Sequence, residues 1–293
     1  MILISSNYCS PKATPGAAKA ALQEVGVKQM HQKTTIEEPD FNEPDIDSEL
    51  HKLLGRLNIS SKETTVRMYD HEVQAQTVIK PFTGAENDGP SDASVVWPLE
   101  MQRKGSFKGL VVANGINPNY GFIDTYHMTG SNIDEAIRNA VAVGANPARM
   151  ALLDNICWSS PEDPYRMAQL VRAFKAFHDY SVAFRTPFIS GKDSIHNDYT
   201  GILDGNEVRM AVPPTAMVSA LGITNDIRKS VTMDAKKPGN ALYLLGATYD
   251  QLGGSEYYAM MGQEFDKIFI GNNVPKVESQ SARERYSAIH NAI

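Results

Sequence analysis

Cysteine is scarce in this chain. Only Cys9 and Cys157 occur among 293 residues, far apart in sequence, so no disulfide framework can be laid out and no His/Cys spacing supports zinc. A reducing cytoplasm is the simplest setting for such a chain. Long apolar runs are missing too, since none approaches the roughly 18 residues of a membrane-spanning helix. The start, MILISSNYCSPK, has a short apolar run and no basic flank, which is not the pattern of a signal peptide. Basic blocks are also absent. Lys and Arg total 28 against 34 Asp and Glu, a formal net charge of −6. That argues against a protein that binds nucleic acid by neutralising phosphates along a backbone. An anionic ligand would need a local pocket, with metal ions to offset its charge. What is present is ordinary for a soluble globular protein, with 42% hydrophobic and 21% charged residues. The length suffices for two domains with a sizeable core.

Residues 1–48 carry little pattern. Ala17–Val25 can form a short helix, and TTIEEPDFNEPDIDSE, acidic and broken by Pro39 and Pro44, has linker composition. Apolar residues at 50, 53, 54 and 57 have helical spacing. Val66–Ile79 alternates loosely and reads as a strand or strand pair. Gly84–Ser91 is a polar loop, Ser94–Leu99 a short strand ending at Pro98, Gly109–Asn114 a buried strand, and Asn117–Gly121 a turn. The spacing predicts a helix over Ser131–Val143, capped by Ser131 or Asn132 and ended by Gly144. A second amphipathic helix is predicted over Pro164–Tyr180. Strands are predicted at Arg149–Leu153, ending at Phe188–Ser190, and over Thr215–Ile223 and Asn240–Gly246, with a last helix over Ser279–Ile293. Strands interleaved with two long helices define a mixed α/β class. Several strands are apolar on both faces, and two helices can cover only one face of the sheet. The other face is therefore expected to pair with a second domain.

Several residues invite chemistry. Asp92, after a Gly-Pro loop and before a strand, suits a cation or a turn whose backbone amides it satisfies. Glu135 and Asn139 sit at i and i+4 on one helix face, and a carboxylate with an amide carbonyl offers hard oxygen ligands for Mg²⁺. A solvated helix face would have the same spacing. SGKDS at 190–194 is not a Walker loop, because Asp193 separates Lys192 from Ser194 and Thr186 stands where the first glycine belongs. Its residue types still suit phosphate, and a polar turn after a strand is the alternative. Asp154 and Asn155 are polar groups at a strand end. Cys157 reads as a packed thiol with no nearby base, and His71 and His196 as acid–base or hydrogen-bonding groups.

Seven segments taken together carry a family likeness: YDHEVQAQTVIKP (69–81), GPSDASVV (89–96), EAIRNAVAVGANP (135–147), LLDNICWSSPEDP (152–164), PFISGKDSIHND (187–198), PPTAMVSALG (213–222) and LLGATYDQLGGSEYY (244–258). Their order and spacing resemble the large-subunit family of phosphoribosylformylglycinamidine synthase, from about residue 45 onward. That family belongs to the aminoimidazole ribonucleotide synthetase-like (PurM-like) superfamily, whose members pair an N-type with a C-type domain. The resemblance is to the second of the family's two homologous halves. It implies a connector over 1–60, a nucleotide-binding N-type domain with a mixed sheet and two long helices over 61–225, and the start of a C-type domain over 226–293. It implies Mg²⁺ and ATP as cofactors, with metal ligands at Asp92, Glu135 and Asn139, nucleotide contacts at Ser91, Asp154 and Gly191, and a substrate contact at Ser194. Lys192 stands where short-type relatives carry an asparagine metal ligand, a departure from their pattern at that position. No catalytic residue is assigned here, because the family's catalytic histidine belongs to the first half.

The reaction implied is ATP-dependent amidation of formylglycinamide ribonucleotide with glutamine-derived ammonia, in purine biosynthesis in the cytoplasm. The expected partners are the first half and a glutaminase domain or subunit, or a second copy of the N-type domain if the chain is alone. Neither nucleic acid nor a membrane is expected as a partner. Alone, the chain is expected to be inactive. A non-catalytic nucleotide-binding or assembly fragment, or another kinase or synthetase of the superfamily, is the alternative.

Overall fold

The computed structural model describes residues 37–40, 44–72, 74–264 and 267–293. Cys9 and the helix expected at Ala17–Val25 lie outside them. Helix α1 (Ile46–Leu54) begins at Asp45, whose carboxylate accepts from the Ser48 N–H, and a short α2 follows (Glu63–Arg67). The strand expected over Val66–Ile79 survives only as β1 (Thr77–Ile79). Val66 and Arg67 belong to α2, and Gln74 and Ala75 take φ values of 60° and 52°, which no extended strand accommodates.

Around β1 grows a six-stranded mixed sheet. Its strands are β2 (Ser94–Val96), β3 (Gly109–Gly115), β4 (Met150–Cys157), β5 (Phe188–Ser194) and, last in sequence, β8 (Thr215–Thr224). The spatial order is β1-β2-β3-β8-β4-β5. Only β4 and β5 run parallel, because α5 (Pro164–Phe184) connects them as a crossover helix. A short α3 (Leu99–Arg103) joins β2 to β3. Burial alternates strictly along β3 and β8. Val95, Val111, Leu152, Ile156 and Val218 on one face meet Ile133, Ile137 and Val141 of α4 (Thr125–Ala142) and Phe177 of α5. Each such side chain contributes about 1.5–3 kcal/mol on burial. The opposite face stays open, leaving Leu110 and Val112 38% and 41% exposed. The strand over Gly109–Asn114 is thus buried on one side only.

α4 is longer than its pattern predicts. The cap is Asp124, which accepts from the N–H groups of Tyr126 and His127. Ser131 and Asn132 lie inside the helix, where Asn132 Nδ2 donates to the Ala216 carbonyl at 2.8 Å. Buried Thr129, Gly130 and Asn132 hide its first half from an apolar count.

Two strands were not expected. β6 (Tyr199–Leu203) and β7 (Asn206–Met210) form a separate hairpin turning at Asp204 and Gly205, both at positive φ. Conversely, the strand expected at Asn240–Gly246 does not form. The segment pairs with neither edge of the sheet, and Leu242 is 96% exposed with Tyr243 and Leu244 close behind. Apolar composition makes a strand only where a neighbour takes up its backbone groups.

Helix α6 (Glu256–Glu264) builds a small cluster of Tyr258, Met261 and Phe269, and α1 docks on it through Lys52–Glu264 and Arg56–Glu256 ion pairs at 2.8 Å each. The last helix, α7 (Ser279–Ala292), packs instead on α4 and α5. Ala282 and Tyr286 join the main core, and the Tyr286 hydroxyl donates to Asp134 Oδ1 at 2.6 Å. Among the described residues no helix is long and apolar enough to cross a membrane.

Candidate functional site

The site is built on the place where α4 crosses the end of β3. Gly115, the last residue of that strand, is where the two backbones meet. A Cβ there would lie 2.1 Å from the Asn132 carbonyl oxygen and 2.8 Å from the Ala136 nitrogen. Only glycine allows this approach, and the approach fixes the next two turns of the helix. Glu135 Oε2 accepts from the Ile116 N–H at 2.8 Å, and Asn139 Nδ2 donates to the Asn114 carbonyl at 3.1 Å. Each side chain spends one polar atom on the strand and keeps an oxygen free. Burial raises the Glu135 carboxyl above the usual carboxylate range, partly offset by the Ile116 N–H. A carboxylate held in that way favours a bound cation, which would restore its charged form.

Asp92 lies two residues before β2, whose Ser94 pairs with Val112 in an antiparallel ladder, so it precedes the sheet on the side of β3 that leads to Asn114, the residue Asn139 grips. Its carboxylate makes no hydrogen bond or ion pair among the described residues, so its oxygens also stay available. Neighbouring Ser91 donates its hydroxyl to the Ala93 carbonyl at 3.1 Å, an ordinary turn contact. Among the described residues no three His, Cys, Asp or Glu side chains converge on a metal-sized space. The nominated set holds two carboxylates and an amide, hard oxygens of the type Mg²⁺ takes.

The ladder continues across the sheet. Asn114 pairs with Ser219, whose hydroxyl donates to Asn114 Oδ1 at 2.7 Å, and Val218 beside it pairs with Asp154, which pairs with Gly191. Gly115, Val218, Asp154 and Gly191 therefore occupy one row on the helix-covered face, while Asn114 and Ser219, one residue along, lie toward the open face. β8 stands between the β3 end held by Glu135 and Asn139 and the Asp154–Gly191 contact, with about 10 Å from β3 to β4 at ordinary strand spacing.

Asp154 and Gly191 are in contact. The Asp154 carboxylate occupies the space a side chain at Gly191 would need, with Oδ1 2.2 Å from where a Cβ would sit. Asp193, two residues along the same strand, was read from sequence only as the residue that spoils a Walker loop. It is the partner sequence reasoning missed. Burial first, then the charge and hydrogen bond of Asp193, push the Asp154 carboxyl up to about 7. The two acids form a close pair that accepts a proton or a cation near neutral pH.

SGKDS is not a loop. Residues 190–194 are the second half of β5, with Lys192 opposite Asn155 and Ser194 opposite Cys157. The backbone is extended because β4 supplies a parallel ladder along its whole length. This strand end presents side chains, not a ring of loop N–H groups. Ser194 is half-buried, its carbonyl accepting from the Trp158 N–H at 2.8 Å and from Asn197 Nδ2 at 3.0 Å. Cys157 is a free, half-buried thiol. His71 Nδ1 bonds the Tyr69 carbonyl at 3.0 Å, a local contact.

No protein-family model matches the chain. Curated relatives do. The phosphoribosylformylglycinamidine synthase subunit PurL of Thermoplasma volcanium is 32% identical over 253 residues, covering 86% of this chain and 31% of that protein. The PurL of Alkaliphilus metalliredigens is 34% identical over 259 residues, 88% of this chain and 31% of its own length. That of Methanocaldococcus jannaschii is 30% identical over 270 residues, with 92% and 34% covered. Among solved structures, Thermotoga maritima PurL complexed with AMPPCP is 22% identical, covering 68% of this chain and 29% of that one, with a TM-score of 0.45, too low to argue from. The chain thus spans about a third of the length of the curated relatives it matches, and it belongs, as that third, to the phosphoribosylformylglycinamidine synthase subunit PurL family.

Proposed function

We propose that this chain forms a nucleotide- and metal-binding part of a phosphoribosylformylglycinamidine synthase, the ligase that amidates formylglycinamide ribonucleotide at the expense of ATP. The observation that carries it is the grip of Glu135 and Asn139 on the end of β3, enforced by Gly115. Glu135, Asn139 and Asp92 would hold Mg²⁺ through their uncommitted oxygens. The ion would neutralise nucleotide phosphates, a service an acidic chain cannot supply with basic side chains alone. Asp154, Gly191 and Ser91 would contact the nucleotide and Ser194 the ribonucleotide substrate.

The open sheet face would be covered by the rest of the synthase, or by a second copy of this domain. Burial there should exceed about 1,000 Å². A glutaminase domain or subunit would supply ammonia, and the setting would be cytoplasmic. The division into 1–60, 61–225 and 226–293 is part of this proposal.

A chimera tests it. Residues 45–293 replace the aligned segment of the Thermoplasma volcanium subunit, and ammonia-dependent ATP consumption with formylglycinamide ribonucleotide is followed. The chimera should turn over, the isolated chain should not, and Asp92→Asn combined with Glu135→Gln should abolish the Mg²⁺-dependent activity of the chimera. Unchanged activity in the double variant would remove these residues from the site.

A further inference from the structure

A second polar site lies away from this row. The hairpin β6–β7 stands apart from the main sheet; Asp198, just before β6, pairs with Arg209 of β7 at 2.5 Å, and its Oδ2 also accepts from the Ser160 N–H at 3.3 Å, a link to the body. Two hollows flank that pair. One of about 280 Å³ lies against the start of α5 and is lined by Ser159, Ser160, Glu162, Arg166 and Asp198 among others. The other, about 550 Å³, is lined by His196, Thr200 and Glu207 together with the same ion pair.

Residue types alone suggest an anion site, with two arginines, two hydroxyls and a helix N-terminus. The structure has already filled those roles. The α5 N-terminus is capped by Asp163, whose carboxylate accepts from the Tyr165 N–H at 2.8 Å. Arg209 is spent on Asp198 Oδ2, and Arg166 donates to Gln169 Oε1 at 3.1 Å. What remains unsatisfied is an acceptor on Asp198 and a hydroxyl on Ser159 that can accept or donate. Asp198 has its side chain only 9% exposed, and its Oδ1 is buried with no partner, although Oδ2 is bonded. Ser159 is 2% exposed, and its Oγ is likewise buried and unpartnered. The carboxylates of Glu162 and Glu207 make no hydrogen bond among the described residues. Arg209 holds the Asp198 carboxyl below the usual carboxylate range, so it stays charged. Buried acceptors left without donors are costly unless a ligand satisfies them. His196, at the rim, is held at φ 65°, a conformation uncommon outside glycine.

We propose that the hollow between the β6–β7 hairpin and the start of α5 binds a small organic cation rich in N–H donors, a guanidinium or primary ammonium, through Glu162, the free Oδ1 of Asp198 and the Ser159 hydroxyl. A bare divalent ion fits less well, since no metal-sized cluster of three acidic or imidazole groups forms among the described residues. The site is independent of the ligase reading.

The test is calorimetric titration of methylguanidinium chloride into the full chain at low ionic strength, against sodium chloride at matched conductivity. Saturable binding is expected, weakened about tenfold in Glu162→Gln through loss of a charged hydrogen bond. Glu162 has no side-chain partner to lose, so that variant keeps its fold, and an unchanged thermal melt checks this. Asp198→Asn should weaken binding at least as much. Absence of saturation overturns the proposal, as does equal affinity in Glu162→Gln. Binding of magnesium chloride or inorganic phosphate in place of methylguanidinium, lost in the same variant, overturns it too.

Discussion

Strand β8 and the segment Asn240–Gly246 are both short apolar runs, and they meet opposite fates. β8 lies between β3 and β4, bonded on both edges, and buries every second side chain. The later run, with Leu242, Tyr243, Leu244 and Leu245 in a row, forms no strand and is almost wholly exposed. Hydrophobicity is the same kind of signal in each. What differs is whether strands stand ready on either side to take the backbone N–H and C=O groups. A strand belongs to its sheet more than to its own residues.

The sharpest way to break the ordered side of this comparison is at Gly115. Gly115→Val should cost more than about 3 kcal/mol, because the new side chain meets helix backbone that cannot move without lifting α4 from the sheet. Thermal unfolding measures it, and a loss below 1 kcal/mol would mean α4 is free to shift. The same variant should release Glu135 from Ile116.

Next in size is a matched pair of leucines. Leu152→Ala, at a fully buried position in β4, should cost about 2–5 kcal/mol. Leu244→Ala, in the exposed run, should change stability by no more than about 0.5 kcal/mol. Denaturant melts of the two variants compare them directly. Similar losses would show that the second run is packed in solution.

These contrasts also mark what the sequence reveals. The two long helices, β8 and the last helix can be read from periodicity because each has a single buried face. Glu135 with Asn139 can be read from i,i+4 spacing. Asp193 cannot, because its importance comes from a parallel ladder that sets it beside Asp154, 39 positions earlier in the chain. The true start of α4 is hidden by buried Thr129, Gly130 and Asn132, polar or small residues satisfied by neighbours that the sequence does not display. The hairpin was legible after all, since Asp204-Gly205 between alternating segments is a strong turn signal.

The smallest effect expected is a pH-dependent one at the Asp154–Asp193 pair. The Asp154 carboxyl is raised from its ordinary 3.8 to about 7 in the folded chain. The folded state therefore binds this proton more tightly than the unfolded state. Linkage then makes the group's contribution to stability fall as pH rises from about 4 to about 7, with no further change above that. Burial is the first cause and persists in any variant at 193, so only the part due to Asp193 can be recovered. Asp193→Asn removes one charge and offers Asp154 an amide donor. Its melting temperature should match the parent near pH 4 and exceed it by roughly 1–3 °C at pH 8, where the parent pair would carry two charges. Melts across that range follow the crossover. A constant offset at all pH values would mean the two carboxyls do not share a proton, and a lower melting temperature at pH 8 would mean Asp193 stabilises β5 through contacts of its own.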